Sequence, residues 1–186
     1  MVIKYIPQTK DELKRLIEDD IPGDQIDVSN ITDMRELFLS SIYNHPLDSW
    51  DVSNVTNMNS MFEGSLYNHP LGSWDTRRVK SMNFMFWGSQ YNHPLDSWDT
   101  SSVQSMISMF ECSKYNHPLG SSDGDSSAWN VSQVKSMVNM FYSSKFTHAK
   151  SLLNWNTSSL EDKDCMFEDT NIKIKFKITI DSIELD

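Results

Sequence analysis

The five histidines of this 186-residue chain are the first candidates for chemistry, because they recur at one position of an internal repeat. Imidazoles titrate near neutral pH and bind transition metals, so a row of them could form a pH-sensitive or metal-collecting stripe. The alternative is a structural ladder in which the rings stack and the ring nitrogens bond to backbone carbonyl oxygens, since the neighbouring Tyr and Asn recur just as strictly. The histidines are His45, His69, His93, His117 and His148.

A second candidate is the acidic or amide residue that follows the tryptophan position of each repeat. We expect these side chains to point outward and to form a shallow binding strip for a basic or hydroxyl-rich partner, or for weakly held divalent cations. The alternative is that each one accepts hydrogen bonds from nearby backbone N–H groups, which requires no partner. The series is Asp27, Asp51, Asp75, Asp99, Asn130 and Asn156, and we add Arg77 and Trp87 as further contact residues.

The remaining patterns predict neither an enzyme nor a cofactor. GxSxG, P-loop and HExxH motifs are absent from the sequence, and His45 and Asp51 are about 18 to 20 Å apart in an extended chain. Cys112 and Cys165 lack metal-binding spacing, and the Asp123-Gly124-Asp125 segment lacks the other ligands of a calcium loop. We expect a non-enzymatic protein without a bound metal.

Composition limits the classes of partner. With 16 Lys and Arg against 26 Asp and Glu, the net charge is −10, which argues against binding to nucleic acid or to anionic membranes. No apolar run approaches the roughly 18 residues of a membrane span, and we find no signal peptide or lipobox. We expect no nucleic-acid partner and no membrane insertion.

A 24-residue repeat positions these residues. Trp50, Trp74 and Trp98 follow one another at this spacing, and Ile26 holds the equivalent place one unit earlier. Trp129 and Trp155 follow at longer intervals, the first because of an insertion near residues 121–128. Each Trp-x-Val pair alternates as in a strand, and the apolar residues that follow are spaced as on one face of a short helix.

We therefore predict an α/β fold, a leucine-rich-repeat-like right-handed solenoid with a parallel strand and a short helix in each 24-residue rung and about six rungs. Residues 1–24 are expected to form a strand-helix cap, with a capping box from Thr9 to Glu12. Residues 25–170 are the repeats. Residues 171–186 are expected to form a strand cap, because Ile172, Ile174, Phe176, Ile178 and Ile180 alternate with polar residues.

The segment Leu47-x-x-Trp50-x-Val52-x-x-Val55 follows the leucine-rich repeat pattern with Trp and Val in place of leucines. The repeated unit W-D-[VT]-S-x-V-x-x-M-x-x-M-F resembles that of the BspA-like leucine-rich repeat surface proteins, over about Gln25 to Phe167. The resemblance implies a cell-surface or secreted protein that adheres to host proteins or to other cells.

We expect a binding or adhesion module, favoured as a monomer, with a protein or glycan partner. Two alternatives stay open. One is an intracellular interaction module that uses the same face, and the other is a cation-responsive structural repeat protein.

The histidine series generates a prediction. Protonation of all five imidazoles would place like charges on adjacent repeats, so the melting temperature should fall below about pH 6. Thermal unfolding followed by circular dichroism from pH 8 to pH 5 measures this, and an unchanged melting temperature over that range would contradict it.

Overall fold

The computed structural model describes residues 4–120, 129–170, 172, 176–179 and 182–185. Three predicted features fall wholly or partly outside the described residues. They are the insertion near 121–128, the first three residues of the N-terminal cap, and parts of the C-terminal strand cap, including Ile174 and Ile180.

The N-terminal segment forms helix α1, Lys10–Glu18. The Thr9 hydroxyl accepts a hydrogen bond from the Glu12 N–H at 3.2 Å, and the Glu12 carboxylate accepts one from the Gln8 N–H at 2.7 Å. The first bond satisfies an N–H group that a helix start leaves without a partner, whereas the second engages Gln8 instead of the Thr9 N–H, so the predicted capping box forms only in its Thr9 half. Leu13 and Ile17 are buried on the inner face of α1. The predicted helix and its capping threonine are confirmed.

Other regular elements are few. Strands β1, Phe176–Thr179, and β2, Ser182–Leu185, form an antiparallel pair. Two short 3-10 helices span Gly23–Gln25 and Ala149–Leu152. Across the described ranges no further helix or strand forms, and no helix there is long and apolar enough to cross a membrane.

The predicted solenoid of strand-plus-helix rungs is wrong. The segment predicted as a helix in the second repeat contains Ser60 and Gly64 with φ of 55° and 63°. A residue in this left-handed region interrupts a right-handed helix. The N–H groups of Met58 and Ser60 donate instead to carbonyl oxygens of the next repeat, at 3.1 and 2.8 Å, so they are not available for bonds within a helix.

The helix-like spacing of apolar residues has a different origin. The Met61 N–H donates to the Met58 carbonyl at 3.2 Å, and the Ser65 N–H donates to the Phe62 carbonyl at 3.1 Å. Consecutive turns of this kind return side chains to the interior at short intervals, much as a helix does. Methionine and phenylalanine are therefore buried without helical backbone.

The predicted strand is also absent from the repeats. Trp50 and Val52 lie between two turns, in which the Trp50 N–H donates to Leu47 and the Val55 N–H donates to Val52. In the described part of the chain, no backbone hydrogen bond joins the Trp-x-Val segments of neighbouring repeats. Alternation of buried and exposed residues occurs here in backbone that forms no paired strand.

Neighbouring repeats are joined further along the unit by a hydrogen-bonded ladder. In the second repeat the N–H groups of Met58, Ser60, Phe62 and Gly64 donate to Ser81, Asn83, Met85 and Trp87 of the third, and the first, third, fourth and fifth repeats follow the same pattern. Isolated parallel bridges mark its beginning. They are Asp33 with Asn57, Asn57 with Ser81, Ser81 with Ser105, Ser105 with Ser136, and Ser136 with Asp162.

Aromatic rings from successive repeats stack to form the core. The rings of Phe62, Phe86 and Phe110 follow one another at 5.5 and 5.6 Å, with interplanar angles of 3° and 2°. Trp98 and Trp129 stack at 6.5 Å although the interval between them contains the insertion. Full burial of one such side chain contributes about 1.5 to 3 kcal/mol, so the core, continuous through the described repeats, is the main source of stability.

The buried tyrosines generate a prediction about alkaline stability. Burial raises the pKa of the Tyr91 and Tyr115 phenols above the ordinary value of 10.0. The stability that depends on their neutral form is therefore complete below about pH 10 and is lost as the pH rises further, because the unfolded chain ionises first. Phe146 holds the same position in the fifth repeat.

We expect Tyr91→Phe with Tyr115→Phe to fold with a change of less than about 1 kcal/mol at pH 7 and to unfold at higher pH than the wild type. Circular dichroism measures unfolding, and absorbance at 295 nm measures phenol ionisation. Identical alkaline transitions in both proteins would contradict the assignment.

Candidate functional site

Each histidine ring is held by a contact from the preceding part of the chain and by an aromatic ring of its own repeat. The Nε2 atoms of His69 and His93 lie 2.8 and 2.9 Å from the carbonyl oxygens of Asn44 and Asn68. A carbonyl oxygen only accepts, so Nε2 carries the proton and donates. His117 and His148 repeat this arrangement with Asn92 and Asn116, whereas His45 contacts the Asp20 carboxylate at 3.1 Å.

The imidazole rings meet tyrosine or phenylalanine edge-on rather than stacking on one another as expected. Tyr67 and His69 have centroids 5.7 Å apart and an interplanar angle of 62°, and the other four histidines have similar geometry. In the described residues no group of three or more His, Cys, Asp or Glu side chains is placed to hold a metal ion. This geometry favours the structural role of the histidines.

The acidic and amide series after the tryptophan position forms turns. In every repeat the side-chain oxygen accepts the backbone N–H of the residue two places later, as Asp51 does from Ser53 at 3.0 Å. This is the Asx turn of the alternative interpretation. The same bond is made by Asp27, Asp75, Asp99, Asn130 and Asn156.

The charges of this series differ between repeats. Arg77 Nε lies 2.8 Å from Asp75 Oδ1, and this hydrogen bond is the main reason that the pKa of the Asp75 carboxyl is lowered. Lys4 Nζ lies 3.4 Å from Asp27 Oδ2. Asp51 and Asp99 are exposed and have no ion pair within the described chain. The predicted acidic strip is thus interrupted by a cation in the third repeat.

Trp87 lies in a different part of the unit from Asp75 and Arg77. Its carbonyl oxygen accepts the Gly64 N–H at 2.7 Å, within the ladder, and its side chain is 37% exposed. Phe84, three residues earlier, is 39% exposed. The structure brings Asp75 and Arg77 together but shows no hydrogen bond, ion pair or ring contact, among described residues, between Trp87 and the acidic series.

A group of apolar residues beside Trp87 was missed by the sequence reasoning. We name the outward side chains of the ladder segments the ladder face. The Phe84 N–H donates to the Ile107 carbonyl, and the Ser108 N–H donates to the Val138 carbonyl, both at 2.8 Å, so these positions adjoin on consecutive repeats. The corresponding positions of the second repeat are polar. The ladder face includes Phe84, Trp87, Ile107, Val138 and Tyr142 in the third to fifth repeats, and Asn59, Ser60 and Glu63 in the second.

The signal that could have revealed the ladder face is variation at outward positions. Asn59 and Asn83 form a side-chain ladder, since Asn59 Oδ1 accepts the Asn83 N–H at 2.9 Å. The next members at this position are the apolar Ile107 and Val138. This position outside the core therefore varies in chemical type between repeats, with Arg35 in the first repeat and Asp164 in the sixth.

Taken together, these contacts define a repeat protein whose 24-residue units stack in register around one aromatic core. The chain belongs to the family described as "Mycoplasma protein of unknown function, DUF285", whose model matches residues 9–122 and 120–178. No curated protein and no solved structure matches the chain. The family description assigns no activity, so any functional argument depends on the geometry of the surface.

The turn role of the acidic series generates a prediction. Asp51→Asn should change the free energy of unfolding by less than about 0.5 kcal/mol, because an amide oxygen accepts the same bond at Asn130 and Asn156. Asp51→Ala should lose about 1 kcal/mol, because the Ser53 N–H loses its acceptor. Urea denaturation measures both changes, and equal losses in the two variants would contradict the turn role.

Proposed function

We propose that this chain is a non-enzymatic binding module whose stacked repeats form a rigid support for contact with a protein or glycan partner. The observation that carries the proposal is the contrast between inward and outward positions. Most core positions carry the same or a similar residue from repeat to repeat, whereas the ladder face changes and exposes Phe84 and Trp87 together in the third repeat.

Aromatic side chains at the surface are the kind of residue on which binding energy concentrates. Tryptophan and other large aromatic residues are enriched at the centres of interfaces, where a surrounding polar rim excludes water. Trp87 has such a rim, because the repeats on either side carry Glu63 and Glu111 at its position. This arrangement fits a partner with an apolar recess bordered by basic or hydroxyl groups.

The ladder holds this surface in place before any partner arrives. The Gly64 N–H donates to Trp87 and the Gly88 N–H donates to Glu111, at 2.7 and 2.8 Å, so the backbone on both sides of the tryptophan is fixed. Little conformational entropy is then lost on binding. The resemblance to BspA-like surface proteins would make such a contact adhesive.

The acidic series is a second candidate surface, favoured by the exposed carboxylates of Asp51 and Asp99. One carboxylate oxygen of each aspartate already accepts the hydrogen bond of its turn. A partner would therefore contact the other carboxylate oxygen and the neighbouring serines. We rank this surface below the ladder face, because Arg77 neutralises its third member.

The two surfaces can be separated with substitutions that the chain itself uses elsewhere. Phe84→Ser with Trp87→Glu gives the third repeat the residues of Ser60 and Glu63. Asp51→Asn, Asp75→Asn and Asp99→Asn give three repeats the residue of Asn130 and Asn156. Both variants should keep the melting temperature of the wild type within a few degrees.

The immobilised protein and both variants are tested against a glycan array and against cell-surface protein extracts, with affinities measured for each ligand retained by the wild type. We expect the ladder-face variant to lose at least about tenfold in affinity and the acidic-series variant to retain it. Loss of affinity in the acidic-series variant alone would assign the binding site to Asp51 and Asp99. Equal retention by both variants, or the absence of any ligand, would contradict the proposal.

A further inference from the structure

The first repeat has an incompletely covered ladder edge. In the second repeat the carbonyl oxygens of Asn59, Met61 and Glu63 accept N–H groups of the first repeat at 2.7 to 3.0 Å. The equivalent carbonyls of the first repeat are those of Arg35, Leu37 and Leu39. Lys10 Nζ donates to Arg35 at 3.3 Å, whereas no described residue donates to Leu37 or Leu39.

Elsewhere along this edge the N-terminal cap replaces a preceding repeat. The Tyr43 hydroxyl donates to the Ile21 carbonyl at 2.8 Å, and His45 contacts Asp20 at 3.1 Å. Trp50 Nε1 donates to the Gly23 carbonyl at 3.0 Å, as Trp74 and Trp98 do to the repeat before them. The cap thus provides hydrogen-bond partners for Tyr43, His45 and Trp50. It leaves the ladder carbonyls of Leu37 and Leu39 without a described donor.

A groove of about 490 Å³ lies at this opening, between α1 and the first repeat. Ile17 and Glu18 line it from the helix, and Glu36, Leu39 and Ile42 line it from the repeat. Leu39 is 43% exposed and Ile42 is 83% exposed. The groove therefore combines exposed hydrocarbon with backbone carbonyl groups that no described donor satisfies.

The groove also offers one backbone donor and a net negative charge. In later repeats the N–H equivalent to that of Ile42 donates to the preceding repeat, as Leu66 does to Ser41 at 3.1 Å, but the Ile42 N–H has no described acceptor. Glu18, Asp20 and Glu36 outnumber the single cation Lys14 among the lining residues. An occupant has to supply N–H donors, a carbonyl acceptor, apolar side chains and positive charge.

We propose that this groove binds an extended peptide segment of a partner protein, in which lysine or arginine alternates with apolar residues. Its alternate N–H groups donate to the Leu37 and Leu39 carbonyls, and one of its carbonyls accepts from Ile42. Its apolar side chains cover Leu39 and Ile42, and its cations face Glu18 and Glu36. Backbone pairing at an uncovered edge is an established mode of peptide recognition. A second copy of this chain is the competing occupant, since its residues 172–178 also alternate lysine with apolar residues, but its net charge of −10 opposes association with an acidic groove.

The probe is a capped seven-residue peptide of alternating lysine and leucine, titrated into the full chain by calorimetry and by amide NMR. One control peptide carries glutamate in place of lysine. Two others carry N-methyl groups on one or the other set of alternate amides. We expect salt-sensitive binding of the lysine peptide, shifts at the amides of residues 37–43, no binding of the glutamate peptide, and loss of binding for one of the two methylated peptides.

The matched variants introduce residues that other repeats carry at the same positions. Glu36→Ser with Ile42→Lys introduces the residue types of Ser60 and Lys114 at the same positions, and it should weaken binding at least about tenfold. Leu66→Lys makes the same surface change in the second repeat, outside the groove, and should leave affinity unchanged. The ladder-face variant should bind the peptide like the wild type, so failure here and failure of the proposed function are distinguishable.

Several outcomes would overturn the proposal. They are the absence of binding, shifts centred on Asp51, Asp75 and Asp99 instead of the groove, equal binding by both methylated peptides, and unchanged affinity in the Glu36→Ser, Ile42→Lys protein. Concentration-dependent dimerisation through the groove, seen by sedimentation, would also overturn it by making a second copy the occupant.

Discussion

Hydrogen bonding between alternate backbone groups of adjacent repeats is the constraint on which the rest of this structure depends. A ladder that runs from Met58 to Gly64 can pair with the next repeat only if every second N–H points along the stack. The left-handed conformation at Ser60 and Gly64 permits this and excludes helix. Because the ladder fixes the distance between repeats, it also fixes the distance at which equivalent aromatic rings meet.

The aromatic core follows from that spacing. Phenylalanine rings near the ladder stack at 5.1 to 5.7 Å, whereas tryptophan rings, where no described backbone bond joins the repeats, stack at 6.3 to 6.5 Å. The side chains of the Tyr-Asn-His-Pro segments are aligned between repeats in the same way. Asn68 accepts from the Asn92 N–H and its own N–H donates to Asn44, so amide side chains link successive loops, and the histidines follow this order.

Much of the interior could be predicted from the sequence, because burial requires regular apolar positions. Trp74, Met82 and Phe86 are buried as their spacing indicates, and Thr9 caps α1 as its distance from Glu12 indicates. The backbone could not be predicted in the same way. The spacing of Val55, Met58, Met61 and Phe62 is the same for a helix and for a chain of turns. A glycine would have indicated left-handed backbone, but Phe84 and Asn139 adopt it with ordinary side chains. At the candidate surface, Trp87 could be identified from its type, but its neighbour Phe84 could not, because its exposure depends on the ladder.

The 31-residue interval between Trp98 and Trp129 shows how the array tolerates a change in length. The two indole rings remain stacked within 2° of parallel, so the core keeps the same register on both sides of the longer interval. The distance between equivalent positions of neighbouring repeats is therefore set by the repeat itself. Gain or loss of one whole unit would move every later outward side chain by about one ring spacing. Evolution of such a protein can adjust the distance between contact points in discrete steps while the packing of each unit stays the same.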